Sequence, residues 1–360
     1  MGLKKLNSLI LIGAIILCAV SCKDDDDITV SPTLDGYLRF SVPGFIKQNT
    51  KLTFTPKGVS HPDDEELGYY WKVSPTMTKY DTTRFENGLD KYGNPSDGSF
   101  THTFSDTLQT YSVYGYAYAA GYSSESAGYQ CTVVKGGIDG SVKMDNLSEG
   151  TPHEDINGNT YYYTTVNDTD WLVLNLDNSS AGGAPYSNCK AMSDVFGRFY
   201  SYEEAKTACP EGWTLPTDED WVELAKYAGS EDAKVHENIA AVAAALMGDA
   251  DFNETRMWEY WPEVGEITNT TGLSIIPVGY ATLGDKDTAA SNEDPNFDFT
   301  YPDAIFRGYK EYAAFWTADT VDGEEGMAYY RYLINKQPNL MIGKGNITSF
   351  GASVRCVRKN

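Results

Sequence analysis

Histidine is scarce in this chain and positive charge is in deficit. Its 360 residues include 4 His, and 28 Lys plus Arg stand against 51 Asp plus Glu, a formal net charge of −23. Affinity for nucleic acid is built from Lys and Arg that neutralise phosphates, so this balance excludes nucleic acid as a main partner. It also excludes adsorption to anionic lipid through a basic patch. His61, His102, His153 and His236 are scattered, without the HxxxH or HExxH spacing of a metal hydrolase. GxSxG, P-loop and GxGxxG motifs are absent, and the 6 cysteines form no CxxC. No pair stands out among the 51 acids as glycosidase carboxylates, so the chain is expected not to be an enzyme. Long apolar runs are confined to Ser8–Val20, too short to be a comfortable membrane span.

What is present begins with that run. Behind Lys4 and Lys5 it reads as the apolar part of a signal peptide spanning 1–21. Ala19-Val20-Ser21-Cys22 resembles the bacterial lipobox, with a small residue before a cysteine that is lipidated and becomes the new N-terminus. Cys22 is therefore the expected lipidation site and the attachment to the membrane. Lys23 and Asp24–Asp27 open an acidic tether, 22–34. A lysine and acids directly behind the cysteine resemble the export signal that sends bacterial lipoproteins to the outer face of the outer membrane. The expected localisation is the cell surface, anchored by lipid.

The segment 35–134 alternates apolar residues with period two, at Leu38 and Phe40, Leu52 and Phe54, and Tyr69, Trp71 and Val73. Short aromatic and β-branched runs between Pro, Gly and Asp clusters describe half-buried strands of a β-sandwich. Phe104-Ser105-Asp106-Thr107 followed by Tyr111-Ser112-Val113, with Trp71 as a core tryptophan, resembles the polycystic-kidney-disease (PKD) branch of Ig-like domains. Tyr114, Tyr116 and Tyr118 share one strand face and could form a sugar-stacking platform, although sheet packing is the expected role. A Gly- and Asp-rich stretch, 135–154, marks a boundary.

The remainder, 155–360, carries the most specific pattern. Asn157-Gly158 predicts a hairpin turn. Ser201 to Glu204 is a capping box that opens a helix ending at Cys209-Pro210, and Thr217 caps a second helix. Gly212–Pro216 between them is expected to run extended and bury Trp213. Val235, Ile239, Val242 and Leu246 predict a third helix over 231–247, stopped by Gly248. Asp155, Asn157 and Asn159 alternate like the start of a calcium loop, but Val166 stands where an EF-hand needs a bidentate Glu. No cofactor is expected, with calcium at this turn as the weaker alternative.

In order along the chain stand DINGNTY, GRFYSYEEA, CPEGWTLPTDEDWVEL, GLSIIPVGY, FWTA and SVRCV. This succession resembles the Fibrobacter succinogenes major paralogous domain (FISUMP). The resemblance implies an exported protein and an α+β fold like C-type lectins and formylglycine-generating enzymes. It further implies that the chain ends of the domain meet. On residues alone, Cys131, Cys189, Cys209 and Cys356 allow three pairings. The implied fold favours Cys209 with Cys356, leaving Cys131 with Cys189 to staple the two domains.

Trp258, Tyr260 and Trp261 form an aromatic cluster beside Pro262, with Glu259 among them, suited to the CH face and hydroxyls of a sugar ring. The insertion 285–312, with Phe297, Phe299, Tyr301, Phe306, Tyr309 and Tyr312, lies on the side where lectin-like folds carry ligands. The expected ligand residues are thus Trp258, Tyr260, Trp261, Tyr301 and Tyr309. The architecture expected is an anchored lipoprotein that captures an extracellular glycan, possible partners including an outer-membrane uptake complex. The alternative is an adhesin or structural surface protein with a protein partner.

Overall fold

The computed structural model describes residues 31–76, 79–105, 109–134, 142–144, 150–154, 160–253, 255–259, 261–287 and 295–360. Cys22, with the signal segment and most of the tether, lies outside the described residues, as do Asp155, Asn157, Asn159 and Tyr260. The protein is β-rich, with several separate sheets. Among the described residues no helix is long and apolar enough to cross a membrane.

In the first unit the period-two pattern becomes a five-stranded sheet. Its spatial order is Phe45–Lys47, Glu125–Val134, Thr110–Tyr118, Gly68–Thr76 and Lys79–Phe85. Only the Phe45–Lys47 pairing is parallel. The strand Lys51–Phe54 pairs with Phe100–Thr103, and its Leu52 and Phe54 pack on Trp71, Val113 and Val133 of the larger sheet. Trp71 is fully buried, so its indole N–H needs a partner; it donates to the Gly98 carbonyl at 2.8 Å. Tyr114, Tyr116 and Tyr118 do share the outward face, half-buried. Tyr116 lies 5.8 Å from Tyr70 across the sheet, and the Lys72 ammonium sits 5.4 Å from Tyr70 and 5.6 Å from Tyr116.

The second unit brings its ends together. Thr151–Glu154, Thr160–Val166 and Thr169–Leu172 form an antiparallel run closed by the C-terminal strand Val357–Lys359. The pairing of Glu154 with Thr160 closes the expected hairpin around residues 155–159. The expected boundary 135–154 is partly built into this unit, because Val142–Met144 pairs with Ala250–Phe252. A three-stranded antiparallel sheet, Tyr312–Thr320, Met327–Ile334 and Met341–Asn346, separates two apolar cores.

The helices Tyr202–Ala208 and Asp218–Tyr227 begin as their caps dictate. Ser201 pairs reciprocally with Glu204, and Thr217 with Asp220. Trp213 is buried beneath the Arg358 guanidinium, 4.7 Å from its ring.

The expected third helix is cut to Ala243–Leu246. His236 and Ala241 take left-handed φ of 58° and 59°, and other elements capture this segment's backbone. The His236 N–H donates to Asp218, the Glu237 carbonyl accepts from Arg331, and Ile239 pairs with Leu340. Arg331 and Asp218 form a fully buried bidentate pair, with bonds of 2.6 and 2.7 Å. Removing one partner strands the other's charge, so Asp218→Ala should cost about 3–5 kcal/mol of stability. Urea denaturation checks this, and an unchanged midpoint would refute it.

Cys209 and Cys356 are joined across a sequence separation of 147. The second expected disulfide is not formed: Cys131 and Cys189 are free, buried thiols. Cys189 directs its sulfur to the Ser187 carbonyl at 3.2 Å instead. Burial raises both thiols above their ordinary range, and the two lie near enough for Cys189 to raise Cys131 further. The units nevertheless pack together. Phe45 stands 6.1 Å from Tyr186 and 6.3 Å from Phe252, Val134 joins the core of Met192 and Phe196, and Lys47 pairs with Asp194. Replacing Cys209 and Cys356 together by Ser should lower stability by about 2–5 kcal/mol, given the long loop their bond closes. Denaturation of wild type and variant, each with and without reductant, measures it; reductant should affect only wild type.

Candidate functional site

The strand Thr169–Leu172 ends in an irregular stretch because Arg355 captures its exit. The guanidinium donates to the carbonyls of Leu172, Val173 and Leu273 and to the Asn175 side chain. Asn175 in turn donates to the Phe196 carbonyl at 2.9 Å. Three residues on, the Asn178 carboxamide caps the single turn Ser179–Ala181 and donates to the Ala208 carbonyl. This stretch, the strand Thr160–Val166 and the helix Lys190–Phe196 enclose a cleft of about 620 Å³.

Tyr161 and Tyr162 line one wall; as successive strand residues they face opposite sides of the sheet, Tyr161 packing towards the core and Tyr162 being 43% exposed. Asp177, Ser179, Ser180, Ser193 and Asp194 bring carboxylates and hydroxyls to the others. A second cavity, of about 330 Å³, shares Asp177, Ser179, Ser193 and Asp194 with the first. It continues between the units to Phe45, Ile46, Lys47 and Thr50 on one side and Lys190, Arg198 and Asp298 on the other.

Electrostatics sort the charges here. Arg198 is buried and committed, donating to Gly182 at 2.8 Å, Gly183 at 2.9 Å and Asp298 at 2.5 Å. Burial would raise the Asp298 carboxyl, but Thr300 and Arg198 outweigh it and hold the group below its ordinary range. Asp177, 3.9 Å from Arg198 and 36% exposed, goes the other way. Burial in the cleft raises its carboxyl, against the opposing pull of Ser193 and Arg198 and with Asp194 and Asp298 adding repulsion.

A carboxyl raised on folding binds more protons in the native state, so its ionisation subtracts stability as pH rises above the ordinary value of 3.8. Asp177→Asn should therefore raise Tm at neutral pH, and the gain should shrink towards acid. Thermal melts across that range test this; a gain that is constant with pH would refute the assignment.

Of the aromatic residues expected to meet a ligand, the four that are described lie away from this cleft. Trp258 is 1% exposed in the main core and donates its N–H to the Ile275 carbonyl at 2.8 Å, so no face remains for a sugar. Trp261 is half-buried, with the Lys336 ammonium 4.7 Å from its ring. Tyr301 is 5% exposed in the core against the inter-unit junction. Tyr309 packs between Tyr186, Phe196 and Phe252 in the same core. None of these lines the cleft.

Two features escape the sequence reading. One is the cleft, whose local signal is the mostly polar stretch Asn175–Ser180 a few residues after a strand. The other is a half-buried face of five rings, Tyr280, Tyr312, Tyr330, Tyr332 and Phe350, with neighbouring centroids 4.5 to 5.9 Å apart. Burial and the neighbouring phenols Tyr332, Tyr280 and Tyr312 push the Tyr330 hydroxyl up to about 12. The alternation of Tyr330 and Tyr332 along one strand was its visible trace. Among the described residues no three His, Cys, Asp or Glu side chains converge as a metal site.

Residues 144–358 match the family model of the Fibrobacter succinogenes major domain, more than half of the chain, and the protein belongs to this family. That membership points to a surface-associated protein. No curated protein matches the chain. Among solved structures, a superoxide reductase (neelaredoxin) from Ignicoccus hospitalis is 13% identical over 28% of this chain and 82% of its own. Its TM-score of 0.21 carries no argument about fold or chemistry.

Proposed function

We propose that this protein is a non-enzymatic, surface-anchored lipoprotein that captures an extracellular glycan. On this reading residues 1–21 are removed, Cys22 carries lipid, and an acidic tether and a PKD/Ig-like spacer hold a lectin-like unit away from the membrane. The observation that carries the glycan reading is the 620 Å³ cleft, where Tyr161 and Tyr162 stand beside Asp177, Asp194 and three serines. Rings accept the CH face of a sugar, and carboxylates and hydroxyls accept and donate to its hydroxyls. The volume falls within the range of about 300–1,000 Å³ usual for small-ligand sites.

Native gels containing plant, host and microbial polysaccharides, run with protein that begins after Cys22, should show retardation by at least one glycan. Tyr162→Ala should weaken it about tenfold, the loss of roughly 1.4 kcal/mol expected for a stacking ring, with the circular dichroism unchanged. Absence of retardation across the panel, or a Tyr162→Ala protein that is retarded as strongly as wild type, would overturn the reading.

A second reading, adhesion to a protein partner, draws on the five-ring tyrosine face. Tyrosine-rich, half-buried patches are the composition of protein interface cores. Tyr332→Ser would then abolish partner cross-linking on intact cells and leave glycan retardation unchanged.

A further inference from the structure

The two cavities meet at a place the sequence did not mark. Asp177, Ser179, Ser193 and Asp194 line both, so the two cavities adjoin across these four residues at the junction of the units. The far wall belongs to the first unit, with Lys47 at the end of its edge strand and Thr50 just past the turn that follows. That strand is held against the second unit by Phe45 and by the Lys47–Asp194 pair.

Charge in the second cavity is nearly balanced. Lys47 answers Asp194, and Arg198 answers Asp298. Lys190 and Asp177 also line this cavity, one charge of each sign. A cavity with paired ions along its walls offers donors and acceptors in both directions but little net field. It suits a neutral, hydroxyl-rich ligand over an anion or a cation. Tyrosines line only the first cavity, while the second adds the apolar Phe45 and Ile46 to its polar and charged groups.

Resting on the glycan reading above, we propose that the site is composite. A neutral oligosaccharide stacks in the first cavity and extends through the junction, and Lys47 and Thr50 of the first unit select for its length. The N-terminal unit is then part of the binding site as well as a spacer. Asp194 is shared between Lys47 and the passing chain, which makes Lys47 a positioning residue for that carboxylate.

The full chain after Cys22 should be titrated calorimetrically with cello-, xylo-, manno- and laminari-oligosaccharides, from the disaccharide to the hexasaccharide. In the series that binds, the hexasaccharide should bind at least tenfold more tightly than the disaccharide. Thr50→Trp, which fills the second cavity, should bring the hexasaccharide down to disaccharide affinity and leave the disaccharide unchanged. Lys47→Met, which frees the Asp194 carboxylate shared by both cavities, should weaken the hexasaccharide by a larger factor than the disaccharide, and an equal or absent effect on the two would remove Lys47 from the proposed site. Affinity independent of length, or a Thr50→Trp protein that keeps the full length dependence, overturns the composite site while the glycan reading stands. Absence of binding by every oligosaccharide, at every length, overturns both.

Discussion

One buried guanidinium organises the second unit. Arg355 is wholly enclosed and has no carboxylate beside it among the described residues; its charge is met by the carbonyls of Leu172, Val173 and Leu273 and the Asn175 amide oxygen. Burial alone draws it down to about 9, which leaves it charged at neutral pH. A cation held in this way cannot lose one acceptor without leaving a donor stranded in the interior. The residues that meet it come from the start of the unit and from its middle, and Arg355 itself belongs to the C-terminal segment. The adjacent Cys356 bond to Cys209 ties that same segment to the end of the first cap-defined helix. The cleft wall from Asn175 onward hangs from this point.

The same device recurs. Arg198 clamps two glycine carbonyls and Asp298, and Arg331 clamps Asp218 and the Glu237 carbonyl. Each joins segments far apart in sequence, in a unit whose helices are short and whose loops are long. Irregular backbone cannot satisfy its own polar groups as a helix or sheet does. A planar guanidinium, with five donors in a fixed fork, supplies the missing partners at several places at once. The three arginines therefore do part of the work that regular hydrogen-bond ladders do elsewhere.

This explains what was legible beforehand. Helix starts at Ser201 and Thr217, the buried Trp213 and the alternation around Trp71 depend on neighbours within a few residues, and they read correctly. The Cys209–Cys356 pair needed a fold-level resemblance. The helix expected over 231–247 had the right periodicity, but Asp218, Arg331 and Leu340 offered its backbone stronger distant partners, and propensity yielded to them. Trp258 read as a loop aromatic free to meet a ligand because composition says nothing about what covers a loop. Here Ile275 and the main core cover it. The cleft was illegible for the converse reason. Tyr162, Asp177, Asp194 and Lys47 are individually ordinary, and only the folded chain makes them neighbours.

Rigidity follows from the same arrangement and bears on what the cleft can do. Its floor lies between two guanidinium clamps, Arg355 through Asn175 on one side and Arg198 through Gly182, Gly183 and Asp298 on the other. Walls fixed by buried, partnered charges lose little freedom when a ligand arrives, which is the preorganisation that the proposed glycan site would need. The opposite wall is different, since Lys47 belongs to a unit joined through apolar packing, one exposed ion pair and two thiols that are not bonded to each other. On the proposed glycan reading, one rigid side would hold a stacked ring in a fixed place and one adjustable side would let the rest of a longer chain find room.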